Sequence, residues 1–170
     1  MEIREATERD AAGIAAIYND AVEHTTATWH TRTVDADDRA AWIATRQESG
    51  FPVLVAADGE DVVGYATYGE WRAWEGYRFT VEHSVYVRAD QRGRGVGRAL
   101  MDRLIARARA DGLHAMVGGI AAENTGSIAM HERLGFQEVA RMPEVGAKFG
   151  RWLDLVFLQL VLDRREAPVE

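Results

Sequence analysis

The sequence predicts an α/β fold, in which one central sheet is flanked by helices. Apolar residues at helical spacing alternate along the chain with short β-branched runs of strand length, a pattern typical of this class. The length of 170 residues and the hydrophobic content of 47% suit a single core. No repeat, low-complexity stretch or linker interrupts residues 1–163, so we interpret them as one domain, followed by a polar tail over residues 164–170.

The first two predicted elements are helices with favourable N-terminal ends. Residues 7–10 resemble a capping box with aspartate in place of the usual Glu or Gln, and apolar residues follow at helical spacing over 14–22. A second helix is predicted over 35–47, with aspartates in the first turn, where the helix dipole favours negative charge. We expect this helix to bury Trp42 and Ile43 and to shape one wall of a pocket.

The remaining elements build the sheet and two further helices. An Asp58-Gly59 turn joins two β-branched runs into a predicted hairpin. A loop rich in aromatic and basic residues, 71–79, then leads into another strand, after which helices and strands alternate. The predicted strands are 53–57, 62–68, 80–87, 115–121, 137–142 and 152–162, and the predicted helices are 96–111 and 125–134.

The composition excludes several classes of function. Without cysteine the chain has no disulfide, no thiolate metal site and no cysteine nucleophile. The five histidines lack the spacing of metal ligands, so we expect no metal. A net charge of −7 argues against nucleic-acid binding, and no apolar run approaches the roughly 18 residues of a membrane span. With its charged N-terminus, the chain is predicted to be cytoplasmic and unprocessed, with neither kind of partner.

A glycine-rich turn between the strand at 80–87 and the next helix is typical of an anion site, because unpaired N–H groups and the helix dipole both favour a phosphate there. The ATP-type GxxxxGK[ST] loop is absent, and GxGxxG fails because Arg98 stands at the third glycine. The GxGxG of methyltransferases matches, but residues 88–91 separate it from its strand. A purely structural turn is the remaining alternative. Seven arginines between 88 and 109 add positive charge, of which a solvated helix face explains about half.

In this context the turn resembles the pyrophosphate loop, R/Q-x-x-G-x-G/A, of the Gcn5-related N-acetyltransferase (GNAT) superfamily. A second mark, Asn124 followed by HERLGF at 131–136, is similar to the superfamily's N…YEKLGF segment. The resemblance implies a mixed, mostly antiparallel sheet that is splayed between its fourth and fifth strands, with acetyl-CoA as the cosubstrate. The acetyl-CoA-binding residues that it implies are Val85, Tyr86, Val87, Arg92, Gly93, Arg94, Gly95, Val96, Gly97, Arg98, Asn124 and Ser127.

Four further segments, 17–22, 80–87, 130–132 and 148–154, resemble the phosphinothricin and methionine sulfoximine acetyltransferases, and 149–151 are closer to the sulfoximine type. This narrower resemblance implies a homodimer that acetylates the α-amine of a small amino acid such as methionine sulfoximine, methionine sulfone or phosphinothricin. Guanidinium groups in the 71–79 loop suit a carboxylate or phosphinate. The predicted substrate-binding residues are Arg72, Ala73, Trp74, Arg78, Glu82, His83 and Ser84.

Glu82 is the best candidate for the general base. Direct acetyl transfer needs a neutral amine, and burial among β-branched residues raises the pKa of a carboxylate towards the working pH. A glutamate that faces water on an edge strand would instead be structural. His131 is the second catalytic candidate, as a relay for the proton through water. The superfamily often has tyrosine at this position, and a lone helical histidine commonly serves in packing.

Two other functions stay open at the level of the sequence. A GNAT enzyme for another amine, such as a polyamine or a protein N-terminus, would share the fold. An acidic loop would suit a polyamine, whereas this loop carries Arg72 and Arg78. A non-catalytic acyl-CoA-sensing module would keep the glycine turn but would not need Glu82.

Overall fold

The computed structural model describes residues 1–168, which form seven strands and four helices. Residues 164–168 contain neither helix nor strand, and the predicted tail also includes 169 and 170, which lie outside the described residues. The elements in chain order are β1 (Glu2–Glu5), α1 (Ala11–His24), α2 (Ala36–Glu48), β2 (Val53–Asp58), β3 (Asp61–Glu70), β4 (Thr80–Val87), α3 (Val96–Ala110), β5 (Ala115–Ala121), α4 (Thr125–Arg133), β6 (Gln137–Lys148) and β7 (Arg151–Val161).

The strands of residues 1–168 form one sheet in the order β1-β2-β3-β4-β5-β7-β6. Neighbouring strands run antiparallel except β4 and β5, which are parallel. The pairing of β4 with β5 extends only from Thr80↔Ala115 to Glu82↔Val117, so the two strands part beyond Glu82. The predicted mixed sheet, splayed between its fourth and fifth strands, is therefore confirmed.

Helices cover both faces of the sheet, because successive residues of a strand face opposite sides. In β2, Leu54 and Ala56 belong to the core beneath α3, whereas Val53 and Val55 belong to the core beneath α1 and α2. Helix α3 buries an apolar stripe that includes Leu100. The two cores hold β3 and β4 rigidly between them, which positions the point where β4 and β5 separate.

Side chains cap the start of the first two helical segments, and the predicted capping box at Thr7 lies on the 3-10 turn Glu8–Asp10 that leads into α1. Thr7 donates its backbone N–H to the Asp10 carboxylate at 2.7 Å, just ahead of α1. Arg4 forms two hydrogen bonds of 2.8 Å with the same carboxylate and thereby lowers the pKa of Asp10. At α2, the Asp35 side chain accepts from the backbone N–H of Asp38 at 2.8 Å. Capping of this kind satisfies donors that the helix itself leaves free.

Helix α2 buries Ile43, but Trp42 is only half-buried, so the predicted burial of Trp42 is wrong in degree. The indole lies edge-on to Tyr65, with ring centroids 6.2 Å apart. The guanidinium groups of Arg39 and Arg46 lie 4.8 and 5.6 Å from the indole centroid. Trp42 therefore lies at the edge of the core, where cations cover its outer surface.

Two strands depart most from the prediction. The edge strand β1 was not predicted, because it is only four residues long and mostly charged. Strand β6 continues to Lys148, six residues beyond its predicted end at Met142, because register shifts around residues 138–140 and 142–146 accommodate Pro143 within the pairing with β7. Across residues 1–168, no helix is both long and apolar enough to cross a bilayer.

Candidate active site

Two cavities meet where β4 parts from β5. The larger has a volume of about 980 Å³ and lies between the end of β4, the glycine turn and α4. The smaller, of about 440 Å³, lies beside Glu82 and the loop that follows β3. Tyr86, Thr26 and Ala27 line both. The segment between α1 and α2, residues 25–35, which we call the α1–α2 loop, therefore reaches both cavities, whereas α2 itself lines neither of the two.

The glycine turn has the geometry of an anion site. Gly93 and Gly95 adopt the left-handed conformation, with φ of +75° and +84°, and α3 begins at the next residue, Val96. The backbone N–H groups of Val96, Gly97 and the following residue have no acceptor within the helix, because each lies in its first turn. These donors open onto the larger cavity, so the turn fits a pyrophosphate at a helix N-terminus.

Two of the three arginines in the turn line the larger cavity, namely Arg92 and Arg98. Arg94, also predicted to bind acetyl-CoA, does not line it and donates to the Gln91 side chain at 3.2 Å. Other arginines of the predicted basic cluster are paired elsewhere, for example Arg88 with Asp90 at 2.7 Å. This cluster thus brings fewer arginines to the cavity than the sequence indicates, and Arg133 and Arg151 from other parts of the chain also line it.

The remaining predicted acetyl-CoA residues lie together around the larger cavity. Val85, Tyr86 and Val87 form one wall, beyond the last residue of β4 that pairs with β5. Asn124, the N-cap of α4, and Ser127 in its first turn also line this cavity, and the Asn124 side chain accepts from the Ser127 N–H at 3.2 Å. In residues 1–168 no strand pairs with the β5-facing edge of this part of β4, which leaves backbone groups free for an extended ligand.

Glu82 lies at the last paired position of β4 and faces the smaller cavity. It is half-buried in a central strand, so the interpretation as an exposed edge-strand glutamate does not apply. Burial raises the pKa of Glu82, and the charge of Arg72 partly offsets this effect. On β5, Gly119 lies beside the carboxylate, where a Cβ would stand 3.4 Å from Oε1. The β5 backbone at Gly119 therefore lies next to the carboxylate at the parting of the strands.

The predicted substrate loop, residues 71–79, contributes fewer residues to the smaller cavity than expected. Arg72 lines the smaller cavity, and its guanidinium lies 3.9 Å from the centroid of the Trp71 ring. Trp74 is 78% exposed and stacks on Tyr77, away from the cavity. Arg78 lies over the Phe79 ring at 4.5 Å. Three predicted residues of this loop, Ala73, Trp74 and Arg78, and also Ser84 of β4, do not line the smaller cavity.

His83 and His131 lie in the core. Their rings stack with centroids 4.8 Å apart, and both pack against Phe136. Burial lowers the pKa of both imidazoles, that of His83 to about 3, so both are neutral at pH 7. His131 donates its Nδ1–H to the Ser127 carbonyl at 2.7 Å, which leaves Nε2 unprotonated. A partner for Nε2 is not found among residues 1–168.

Neither histidine lines the two cavities, so the geometry gives no support to the predicted substrate contact of His83. His83 points to the opposite face of β4 from Glu82, because the two are adjacent in a strand. The role of His131 as a proton relay stays a prediction.

Several cavity residues were missed from the sequence. The α1–α2 loop lines both cavities, but it carries no recognisable motif. Leu155 and Phe157 of β7 complete the apolar side of the smaller cavity. The sequence predicts them only as ordinary strand residues. The pair Gly118-Gly119 was a usable signal, because glycine within a strand marks a close approach of other groups. Indeed, a Cβ on Gly118 would come within 2.7 Å of the His83 ring.

Comparison with known proteins identifies the family. Residues 3–157 match the model of the acetyltransferase (GNAT) domain. The chain is 58% identical over 168 residues to an L-methionine sulfoximine/L-methionine sulfone acetyltransferase from Pseudomonas aeruginosa, with 98% of each chain covered. It is 35% identical over 162 residues to a phosphinothricin N-acetyltransferase from Streptomyces coelicolor, with 94% of this chain and 95% of the relative covered.

A solved structure gives the same result for the fold and the cosubstrate. The structure of an acetyltransferase from Salmonella typhimurium with its cofactor acetyl-CoA superposes with a TM-score of 0.96 at 54% identity, covering 99% of this chain and 97% of that one. Among residues 1–168, no three His, Asp or Glu side chains come together as a metal-binding group. The chain therefore belongs to the GNAT family, and it is an N-acetyltransferase that uses acetyl-CoA.

Proposed function

We propose that this enzyme acetylates the α-amine of a small amino acid of the methionine sulfoximine or methionine sulfone type. The observation that carries the proposal is the position of Glu82, a half-buried carboxylate in the smaller cavity, close to where that cavity meets the larger one at Tyr86. The relative from Pseudomonas aeruginosa, at 58% identity, is named for these two substrates. Phosphinothricin, for which the 35% identical relative is named, is the less favoured substrate.

The larger cavity is proposed to hold acetyl-CoA. The pyrophosphate would accept from the free N–H groups at the start of α3, with Arg92 and Arg98 adding positive charge. The pantetheine amides would pair with the free edge of β4 at residues 85–87. This arrangement directs the thioester towards the parting of β4 and β5, where the two cavities meet.

In the proposed reaction Glu82 accepts a proton from the substrate ammonium, because only the neutral amine has a lone pair for attack. The amine nitrogen then bonds to the thioester carbonyl carbon and the carbon–sulfur bond breaks. The nitrogen loses a second proton as the amide forms, and the departing CoA thiolate takes up that proton. A carboxylate whose pKa is raised by burial is a better base than an exposed one at neutral pH. The positive charge of Arg72 opposes this rise in pKa.

The smaller cavity has two chemically different sides that suit such a substrate. Arg72 offers a guanidinium for the oxygens of a carboxylate, sulfone or sulfoximine. Trp71, Leu155 and Phe157 offer an apolar surface for the methyl and methylene groups, and Trp71 packs edge-on against Phe157 at 5.3 Å. A polyamine carries only positive charges and would favour an acidic loop. The loop beside this cavity instead presents the positive charge of Arg72.

Steady-state kinetics with a panel of amines tests the proposal. The highest kcat/KM is expected on methionine sulfoximine or methionine sulfone, followed by phosphinothricin. Spermidine and a peptide with a free N-terminus are the comparison substrates, and a higher kcat/KM on either would contradict the proposal. If Arg72 binds the substrate oxygens, Arg72→Ala raises KM for the sulfoximine more than it lowers kcat, the pattern of lost ground-state binding.

We also infer that the enzyme is a homodimer that uses the outer strands β6 and β7. This edge of the sheet exposes several large apolar side chains, and apolar patches of this kind mark interaction surfaces. Their exposed fractions range from 41% to 67%. The members of this surface, which we call the β6–β7 patch, are Val139, Met142, Val145, Trp152 and Val161. A second copy of the same chain is the occupant that a self-complementary strand edge favours.

A further inference from the structure

Lys148 is the only lysine in a chain with 20 basic residues, the other 19 being arginines. It is also nearly inaccessible, with 5% of its surface exposed. Lysine is rarely buried to this extent unless its charge is matched by nearby acceptors. Arginine occupies every other Lys or Arg position of the chain. The geometry around Lys148 explains why this position carries an ammonium group and not a guanidinium.

The ammonium group is bound by three backbone carbonyls. Nζ donates to the carbonyl oxygens of Ala21, Thr25 and Thr28 at 3.3, 2.6 and 2.7 Å. The first of these belongs to the last turn of α1 and the second to its C-cap, at the negative end of the helix dipole. An ammonium group has three donors in a compact arrangement, which suits three converging oxygens, whereas a planar guanidinium does not.

The turn that carries Lys148 contacts the α1–α2 loop at a second place. Arg151 pairs with Glu123 at 2.6 and 2.8 Å, and Glu123 accepts from the hydroxyl of Thr26 at 2.7 Å. These hydrogen bonds lower the pKa of Glu123 to about 2, so its carboxylate is charged at any working pH. A third contact lies on β6, where the ring of Trp29 packs so closely on Gly146 that any Cβ there would collide with it.

The segment held in this way, residues 25–30, forms part of the wall of both cavities. Thr25, Thr26 and Ala27 line the larger one, and Thr26 to His30 line the smaller one. We propose that Lys148 is a positioning residue for acetyl transfer, whose ammonium group holds residues 25–30 in the shape that both substrates bind. This inference rests on the proposed assignment of the two cavities to acetyl-CoA and the amino acid.

The first test is the kinetics of Lys148→Met, which keeps the length of the side chain and removes its three donors. We expect KM to rise about tenfold for acetyl-CoA and for the amino acid, with a smaller fall in kcat, because residues 25–30 line the binding surfaces and Glu82 is unchanged. Lys148→Arg is expected to restore little, because the guanidinium cannot match the three carbonyls. A fall in kcat with both KM values unchanged would overturn the proposal.

Arg109→Met is the matched control. Arg109 also donates to a backbone carbonyl, that of Leu162 at 3.0 Å, but it lies outside both cavities. Its removal is expected to leave both KM values unchanged. Hydrogen exchange of residues 25–30 is measured on both variants, and faster exchange is expected for Lys148→Met alone. Unchanged exchange in folded Lys148→Met would also contradict the proposal.

The second test uses the unmodified enzyme, so it does not depend on a variant that folds. Because the chain has one lysine, an N-hydroxysuccinimide ester can label only the α-amine and Lys148 among its amines. Intact mass is expected to show one fast label and a second that appears slowly, and more slowly still with acetyl-CoA bound. Fast labelling of Lys148 in the folded enzyme would overturn the proposal. An unexpected substrate in the amine panel would alter neither labelling nor exchange, so the two proposals fail separately.

Discussion

At the scale of single residues, the side chains at the parting of β4 and β5 divide into two groups. Glu82 and Arg72 face the smaller cavity, and their charges act on each other. His83 and His131 face the core on the other side of β4 and are neutral. Adjacent positions in one strand thus face the smaller cavity and the core, because side chains alternate between the faces of a sheet.

Replacement of Glu82 tests the general base. Glu82→Gln is expected to lower kcat by roughly 10²–10⁴-fold and to leave acetyl-CoA binding unchanged, the range expected for loss of a general base. The acid limb of the pH–rate profile should disappear with it. Because burial raises the pKa of Glu82 above its unfolded value, the ionised carboxylate contributes no stability at pH 7, so the variant should remain folded.

Glu60→Gln, at the exposed turn between β2 and β3, is the control for removing a carboxylate. Near-full activity of Glu82→Gln across the pH range would assign Glu82 a structural role and contradict the proposed mechanism.

The buried histidines make the fold sensitive to acid. Since the pKa of His83 falls from 6.5 to about 3 on folding, the stability it contributes is present above pH 6.5 and is lost as the pH falls towards 3. His83→Leu removes this group at similar volume. Between pH 7 and 5, the free energy of unfolding of the variant should fall by roughly 2 kcal/mol less than that of the wild type, at about 1.4 kcal/mol per pH unit.

Urea unfolding at the two pH values measures the difference. His24→Leu, which removes an exposed imidazole, is the control. An equal loss of stability in the wild type and His83→Leu would show that His83 does not take up a proton on unfolding in this range.

At the scale of elements, the glycine turn and α3 act as one unit. Gly95 stands at the N-cap of α3 with φ of +84°, and Gly112 follows its C-terminal end with φ of +74°. Both glycines have open space where a Cβ would be, so their conformational requirement is the same. Only the first lies at the larger cavity. Substitutions at Gly95 and Gly112 should therefore cause the same backbone strain, and only the substitution at Gly95 should also affect ligand binding.

Gly95→Val is expected to weaken acetyl-CoA binding by about tenfold or more, because a β-branched side chain blocks the approach of a phosphate to the first turn of α3. Gly112→Val should lose a similar amount of stability, about 1–2 kcal/mol, without loss of affinity. Isothermal titration calorimetry with acetyl-CoA measures both. An unchanged Kd in folded Gly95→Val would argue that the turn is only structural.

At the scale of the whole molecule, the exposed β6–β7 patch lies on the outer strands of the sheet. Trp152 is 67% exposed at the start of β7. Trp152→Glu places a charge within the β6–β7 patch and is expected to convert the inferred dimer into a monomer at micromolar concentration. Trp152→Phe preserves the apolar surface and should remain dimeric. Light scattering coupled to gel filtration measures the mass, and a monomeric wild type would contradict the inferred dimer.

Apart from the short edge strand β1, the sequence alone determined the order of the elements and the position of the glycine turn before α3. Both follow from local chemistry: helical spacing and caps define α1 and α3, the Asp58-Gly59 turn defines the hairpin, and Gly93 and Gly95 meet a left-handed requirement within a few residues. Glu82 was recognised because its neighbours are apolar and because it matches a family motif. Each of these signals depends only on residues that lie close together in the sequence.

The tertiary structure alone decided which residues surround the site. Lys148 meets the carbonyl of Ala21 across 127 positions of sequence, and no local pattern encodes that contact. Trp74, predicted at the substrate, is exposed because the loop that carries it extends away from the sheet, whereas Phe157 enters the cavity from β7. The reason is topological: β4 pairs with β5 over only three positions, and which distant side chains meet at the opening depends on how the whole sheet is ordered around it.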